Sequence, residues 1–354
     1  MPITMKEVAA RARTSVATVS KSLRGVPTIP QSTRERVSKI AQQMGYRLHP
    51  YISALMRNRR KRRAAAAQAP TLAYVTAFPT ESGWQREAFF RSLHAGARTR
   101  AEARGYVLQP FWLYRDDMSN ERFSEILWAR GIRGVFLSPF PRLGMEIKLQ
   151  WENFAVVAHG LSLAHPVFHR TSNDHYQSMM LAMMECRRRG YVRPGFALDT
   201  LTSERLEFRW EAAYRVAGER LGFKMNIPPL MLSIRWEPDQ LCRWIKREKP
   251  DVVITLMLEE QVRELSKRGI RTPEEVGLVS LSVGQPDSPL SGVYQNPSAM
   301  GAVAVDQLIN MVERNETGIP EDPITLTLGG RWNPGRTVCK VVAGRAGGGS
   351  PPLC

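Results

Sequence analysis

The chain has 354 residues, with 50 Lys and Arg against 33 Asp and Glu and a formal net charge of +17. That length suggests two or three domains with ample core. The charge is lopsided: residues 1–63 carry 15 Lys and Arg against only Glu7 and Glu35, whereas the other 291 carry 35 basic and 31 acidic side chains. A small basic head on a near-neutral body points to a polyanionic partner for the head, not to charge spread out for solubility. The opening MPITMKEVAA contains an acid and lacks the apolar stretch of a signal peptide, and no uncharged run reaches bilayer length, so no membrane partner is expected. Cys186, Cys242, Cys339 and Cys354 lie far apart without metal or disulfide spacing, which fits a reduced, cytoplasmic setting.

The head comes first in chain order. ITMKEVAARA offers Thr4 as an N-cap and Glu7 three residues on, the pattern of a capping box, with Val8, Ala9 and Ala12 as the apolar stripe. After a short break, Ser15 can cap a second helix in which Val19 and Leu23 recur at i,i+4 and Gly25 is the stop. A third helix is predicted from about Pro30 to Met44, with Val37, Ile40, Ala41 and Met44 on one face. Two short helices, a tight turn and a packing helix make a helix-turn-helix unit. Val16 and Ala17 are small enough to bring a helix close to base edges, Lys21 reaches further towards a guanine, and Thr14, Ser15, Thr18 and Ser20 are short donors suited to phosphates. Arg11, Arg13 and Arg24 flank the set. Singly, each hydroxyl reads equally well as a solvated cap; together with the cations they favour DNA.

The run ITMKEVAARARTSVATVSKSLRG, followed by STRERVSKIAQQMGYRLHP, resembles the DNA-binding head of the lactose/galactose repressor family of bacterial regulators. The shared features are Thr-x-x-x-Val-Ala, VATVSK, TRERV and MGY. The resemblance implies that Val16, Ala17 and Lys21 read the major groove. It also implies a hinge helix, HPYISALMRNRRKRR, in which Leu55 wedges between base steps and Ile52 shares its face. His49 stands where the family has Asn or Asp, and Ile52 where it has a small residue. Arg59 and Arg60, with Arg57, Lys61, Arg62 and Arg63, form a basic run that is expected to touch phosphates.

Beyond AAAAQAP, apolar bursts alternate with amphipathic stretches. Strands are expected at 71–78, 107–114, 134–140, 154–160, 194–199, 230–234, 251–257 and 277–283. Helices are expected at 87–106, 119–131, 173–190, 203–222, 238–249 and 259–269. This alternation predicts an α/β body of doubly wound parallel sheets, with enough units for two lobes. The order resembles the periplasmic-binding-protein-like sensor of the same family. On that resemblance the domains are a headpiece at 1–48, a hinge and basic linker at 49–69, lobe one at 70–163 with 297–317, lobe two at 164–292 with 323–343, and a flexible tail at 344–354.

The same resemblance implies a homodimer reading a palindromic double-stranded operator, and a small-molecule effector in the interlobe cleft, a carbohydrate being one class the family takes. Arg209 matches the family's ligand-holding arginine and Trp236 its stacking aromatic. Ser282 stands where relatives carry an aspartate. His159, Trp84 and Phe90 read as packing or as cleft lining. No cofactor or metal is expected, because no G-x-G-x-x-G, Walker A, H-E-x-x-H or G-x-S-x-G pattern occurs. Two rivals to a ligand-responsive regulator, probed by whether ligand alters operator affinity, are a constitutive DNA binder and an enzyme on a doubly wound fold.

Overall fold

The computed structural model describes residues 3–23, 29–46, 69–114, 118–141, 147–233, 236–257 and 259–341. Arg24, Ile52, Leu55, Arg59 and Arg60, with the rest of the expected hinge and the expected tail, lie outside these residues.

Three helices form the head: α1 (Met5–Arg11), α2 (Val16–Leu23) and α3 (Gln31–Gln43). Their core is Val8, Ala9, Ala12, Val19, Val37 and Ala41, capped by half-buried Ile3, Leu23, Ile40 and Tyr46. The turn between α1 and α2 is made by Arg13 in a left-handed conformation (φ 47°), and the Arg36 guanidinium of α3 donates to the Ala12 carbonyl at 2.8 Å. That bond satisfies a carbonyl orphaned at the end of α1 and ties the turn to the third helix.

The body contains two six-stranded sheets. The first runs β11–β5–β4–β3–β1–β2 and is wholly parallel, with β1 at Thr71–Thr76, β2 at Val107–Trp112, β3 at Gly134–Leu137, β4 at Ala155–His159, β5 at His169–Asn173 and β11 at Thr325–Leu328. Between these strands lie α4 (Ala88–Ala103) and α5 (Asn120–Ala129). Alternate residues of β1 enter opposite cores. Leu72 and Tyr74 join Leu93, Ala97, Met300 and Leu308, while Ala73 and Val75 join Phe123 and Leu127. Burial on both faces is why these strands read as unbroken apolar runs.

The second sheet runs β12–β10–β9–β8–β6–β7, with β6 at Pro194–Asp199, β7 at Leu230–Leu232, β8 at Val252–Thr255, β9 at Gly277–Val283, β10 at Gly292–Tyr294 and β12 at Arg331–Asn333. Only β12 is antiparallel, against β10. One face is covered by α6 (His175–Arg188) and α8 (Arg209–Arg220) through Met179, Met183, Trp210 and Tyr214. The other is covered by α9 (Pro238–Glu248) and α10 (Glu259–Lys267) through Leu241, Ile245 and Leu265.

The chain passes between the sheets three times: from β5 into α6, from β10 into α11 (Pro297–Arg314), and from β11 into β12. The crossings are bonded to one another. Asp174 N–H donates to the Leu328 carbonyl (2.9 Å), Gly330 N–H to Gln177 Oε1 (3.1 Å), and the Asn173 amide to Gln295 Oε1. Helix α11 returns to the first sheet and packs on α4 so closely that a Cβ at Gly301 would lie 2.1 Å from the Leu93 carbonyl oxygen, and one at Gly96 2.0 Å from that of Ser298.

Three expectations need correction. The lobe boundary expected at 163/164 lies ten residues later, because β5 pairs with β4 and belongs to the first sheet. The segment 323–343, expected to belong to lobe two, begins with two strands. Its first part, β11, joins β5 in the first sheet, and only β12 reaches the second. The helix expected over 203–222 is broken: α7 (Thr200–Arg205) ends before α8, with Glu207 and Phe208 both left-handed at φ 53° and 57°. Two consecutive non-glycine residues in that region mark a strained corner.

Candidate functional site

Two surfaces stand out, one on the head and one between the lobes. On the head, Thr4 caps α1 and Glu7 answers it. Thr4 N–H and Oγ1 donate to Glu7 Oε2 at 2.6 and 2.8 Å, and Glu7 N–H donates to Thr4 Oγ1 at 3.4 Å. The bond from the Thr4 backbone holds the Glu7 carboxyl below its ordinary pKa. Ser15 plays the same part for α2, accepting from Thr18 N–H at 3.0 Å, with the two hydroxyls 2.9 Å apart. Thr4, Ser15 and Thr18 are therefore engaged in shaping the helix ends.

At 100° per residue, α2 divides cleanly. Val19, Ser22 and Leu23 occupy the inward arc; Val16, Ser20, Ala17 and Lys21 follow in turn round the helix from the edge of that arc outward. Val16 is 44% exposed, Ala17 and Lys21 are exposed, and Ser20 is half-buried. A solvent-facing valine and alanine on the first turn, one turn before a lysine, contribute nothing to the head's own core. They leave a small, shallow, cationic ridge of the dimensions a major groove accepts. Lys6, Arg11, Arg13 and Lys39 are further exposed cations of the head.

Between the lobes, the carboxyl ends of the strands converge on a cavity of about 130 Å3. His159 ends β4, Ser172 and Asn173 end β5, and Ser282 lies near the end of β9. Thr202 and Arg205 come from α7, Leu206 and Trp210 from the broken corner and α8, and His175 from the first turn of α6. Glu87, Phe89 and Phe90, at the start of α4, form the facing wall. A second hollow of about 400 Å3 adjoins it, sharing Glu87, Phe89, Leu256 and Ser282. Open α/β sheets place ligands at this position.

The lining is polar but electrically quiet. His159 Nδ1 lies 2.9 Å from Thr171 Oγ1, and burial, aided by His175, pushes its pKa down to about 3. Burial, with Arg209 and Arg205 nearby, pushes His175 down to about 4. Both imidazoles are neutral at physiological pH. Asn173 Oδ1, His175 Nδ1 and Trp210 Nε1 are buried without a hydrogen-bond partner, and the His175 and Trp210 rings meet edge to face at 5.3 Å. Buried polar atoms are usually paired, so these three are the points in the cavity where a ligand or water would bond.

Of the three expected ligand residues, only Ser282 lines the cavity. Arg209 lies outside the lining. Its guanidinium is drawn to Glu207 on the strained corner (Nη2–Oε2 2.6 Å). Trp236 packs against the lobe-two core of Leu241, Ile245 and Leu265. Phe90 and His159 do line it, whereas Trp84 is buried in lobe one against Tyr74 and His94. Asn173, His175, Arg205, Trp210 and Gln295 were not anticipated. Asn173 and His175 fall at the start of the helix expected at 173–190, and that position was the one signal for them.

A helix-turn-helix head on a two-lobed body of the periplasmic-binding-protein type defines the class. The model "Bacterial regulatory proteins, lacI family" matches residues 4–48, and the "Periplasmic binding protein-like domain" matches residues 183–338. The head is thus similar to that of the lacI family of bacterial regulatory proteins, and much of the body to the periplasmic-binding-protein-like domain. It is 27% identical over 134 residues to the HTH-type transcriptional repressor CytR of Escherichia coli, a match covering 38% of this chain and 35% of that protein. The matched stretch thus spans about a third of the length of that curated relative. Among solved structures, the transcriptional regulator CelR–cellobiose complex (19% identity, TM-score 0.58) covers 95% of this chain and 99% of its own. The lac repressor dimer bound to operator and the anti-inducer ONPF (16%, TM-score 0.58) covers 96% and 100%. These likenesses establish the fold.

Proposed function

We propose that this protein is a sequence-specific transcriptional regulator, acting as a repressor, whose operator affinity is set by a small molecule bound between the lobes. The observation that carries the reading is the ridge of Val16, Ala17 and Lys21. It is an exposed apolar pair and a cation on the outward arc of the second helix of a helix-turn-helix, supported by a capped and cored scaffold. In this reading Val16 and Ala17 contact apolar base edges and Lys21 reaches a guanine, while Thr18, Ser20 and the flanking cations position the head on phosphates. The basic run at Arg59 and Arg60 adds salt-sensitive affinity, and Leu55 inserts from the hinge.

The chain works as a cytoplasmic homodimer on an inverted repeat, since one head makes few base contacts and a two-fold protein reads a two-fold site. The relatives' names fit this: one is called a repressor, and another is a dimer on its operator. Binding-site selection with the full chain, followed by anisotropy titration on the selected duplex, tests it. An enriched inverted repeat bound by a dimer is the expected result. Sequence-indifferent binding, or a site without two-fold symmetry, would refute the DNA reading. Operator affinity unmoved by any cleft ligand would reduce the protein to a constitutive binder.

A further inference from the structure

The cleft contains a chain of amides whose direction is fixed at one end. Gln295 follows β10 at the second crossing, and its Nε2 donates to the Leu281 carbonyl of β9 at 2.7 Å. A carbonyl can only accept, so Gln295 must turn its nitrogen there and its Oε1 away. Oε1 in turn can only accept, so it holds the Nδ2 of Asn173, at the end of β5. The orientation that is usually ambiguous for an amide is therefore settled by a main-chain group two steps away. What remains is Asn173 Oδ1, buried and without a partner in the cavity. It presents an acceptor and cannot present a donor. In the same lining, Trp210 Nε1 is also buried and unpartnered, and an indole N–H can only donate.

We propose that the cleft takes a small uncharged ligand that carries a hydrogen-bond donor and an acceptor side by side, with the donor read by Asn173 Oδ1 and the acceptor by Trp210 Nε1. This deepens the effector reading above and rests on it. A carboxylate is disfavoured because it brings only acceptors to Asn173 Oδ1. The two histidines of the lining are neutral, and of its remaining charged groups Glu87 offsets Arg205. Phe89 and Phe90 supply an apolar wall for the body of the ligand. The cavity at these two atoms has a volume of about 130 Å3, so the part of the ligand held there is compact, and anything larger extends into the adjoining hollow. The shared chemistry is that of a cis-amide edge or a vicinal diol, and both belong in the test. Because Asn173 belongs to the first sheet and Gln295 to the crossing from the second, a ligand on Oδ1 also bonds to the link that sets the lobes' mutual position.

The test is calorimetric titration of the full chain with three kinds of probe. The first kind is 2-piperidone and cis-1,2-cyclopentanediol. The second is their donor-blocked forms, N-methyl-2-piperidone and the dimethyl ether of the diol. The third is cyclopentanecarboxylate. Binding is expected for at least one of the first kind, weakened about 10- to 100-fold by methylation, with the carboxylate weaker still. Asn173→Leu is expected to abolish the preference for the unblocked form. Gln295→Met, which frees the Asn173 amide to turn, is expected to shrink the ratio between unblocked and blocked probes while keeping the unblocked one bound. Far-ultraviolet circular dichroism confirms that each variant is folded. Tighter binding of the carboxylate, equal binding of blocked and unblocked forms, or no binding of any probe overturns the proposal. None of those results bears on whether the cleft controls DNA affinity, which operator titration with and without a bound ligand decides separately.

Discussion

Replacing Gly301 by alanine puts a methyl group where two helices already touch. A Cβ there would sit 2.1 Å from the Leu93 carbonyl oxygen and 2.9 Å from the Ala97 nitrogen. An ordinary carbon–oxygen contact needs about 3.3 Å, so α4 must retreat by about 1 Å. Both obstructing atoms are main chain and cannot rotate aside. The cost therefore falls at the upper end of what overpacking exacts, about 3 kcal/mol. Alanine returns about 1 kcal/mol through helix propensity. The net loss is about 2 kcal/mol, and at roughly 2–4 °C per kcal/mol for a body of this size the melting temperature falls by about 4–8 °C. Thermal unfolding of the full chain followed by circular dichroism reads it. Gly284→Ala, whose Cβ would meet only Ala88 Cβ at 3.5 Å, is the control and should change little. Retreat of α4 also moves Phe89 and Phe90 from the cleft wall, so ligand affinity should fall with stability. A Gly301→Ala protein as stable as the parent would show that α4 and α11 do not meet as described.

Lys21→Ala should relax base preference at one position of each half-site and cost about 1–3 kcal/mol there, leaving affinity for random DNA nearly unchanged; a uniform loss over all sequences would make Lys21 a phosphate contact. Thr4→Ala removes the cap of α1 and should lower head stability by about 1 kcal/mol, measurable by hydrogen exchange of the head amides, and unchanged protection would refute the cap's role. His94, His159 and His175 have folded pKa values pushed by burial to about 4, 3 and 4. The unfolded chain binds more protons than the folded one between about pH 6.5 and 4, so their contribution to stability is complete above 6.5 and lost as pH falls towards 4. Urea midpoints at pH 7, 5.5 and 4.5 should decline, and less steeply for His94→Gln; equal slopes would remove that histidine from the account. Arg205→Ala should weaken cleft ligands more than Arg209→Ala, because Arg205 lines the cavity and Arg209 is held outside it by Glu207; the reverse order would restore Arg209 as the principal ligand residue.

The head was nearly all legible in the sequence, because its signals are local. The Thr4–Glu7 pair, the small residues of VATVSK and the Val37–Ala41 stripe each act within a few residues of themselves. Most body strands were legible for a related reason: burial on both faces turns them into apolar runs such as LAYVT and VVIT. β5 escaped notice because its sequence is HRTSN. Four of its five residues are buried, yet their polar side chains are satisfied or aimed by distant groups, such as the Gly160 and Leu163 carbonyls for Arg170. The broken corner was illegible because nothing in EFRW forbids a helix; tertiary packing of Leu206 and Trp210 overrides the local preference. The cleft depends on such non-local facts. Asn173 becomes a fixed acceptor only because Gln295 and Leu281, more than a hundred residues away, hold its amide.

The three crossings also set a timetable for synthesis. The first sheet has its inner strands once Asn173 is made, but one of the two helices that cover the Leu72 face is α11, and one of its edge strands is β11. Met300, Ala304, Val305, Leu308 and Ile309 belong to that early core, yet they leave the ribosome only after the whole of α6 to β10. At roughly 5–20 residues per second, that wait is on the order of 7–28 s. During it, the apolar face of Leu72, Tyr74, Phe136 and Val157 has α4 but not α11 to cover it, whereas the three-helix head already has every residue of its core. A nascent chain stalled before Pro297 should therefore hold a protease-resistant head and a body that recruits chaperones, and release of the last sixty residues should close both sheets together.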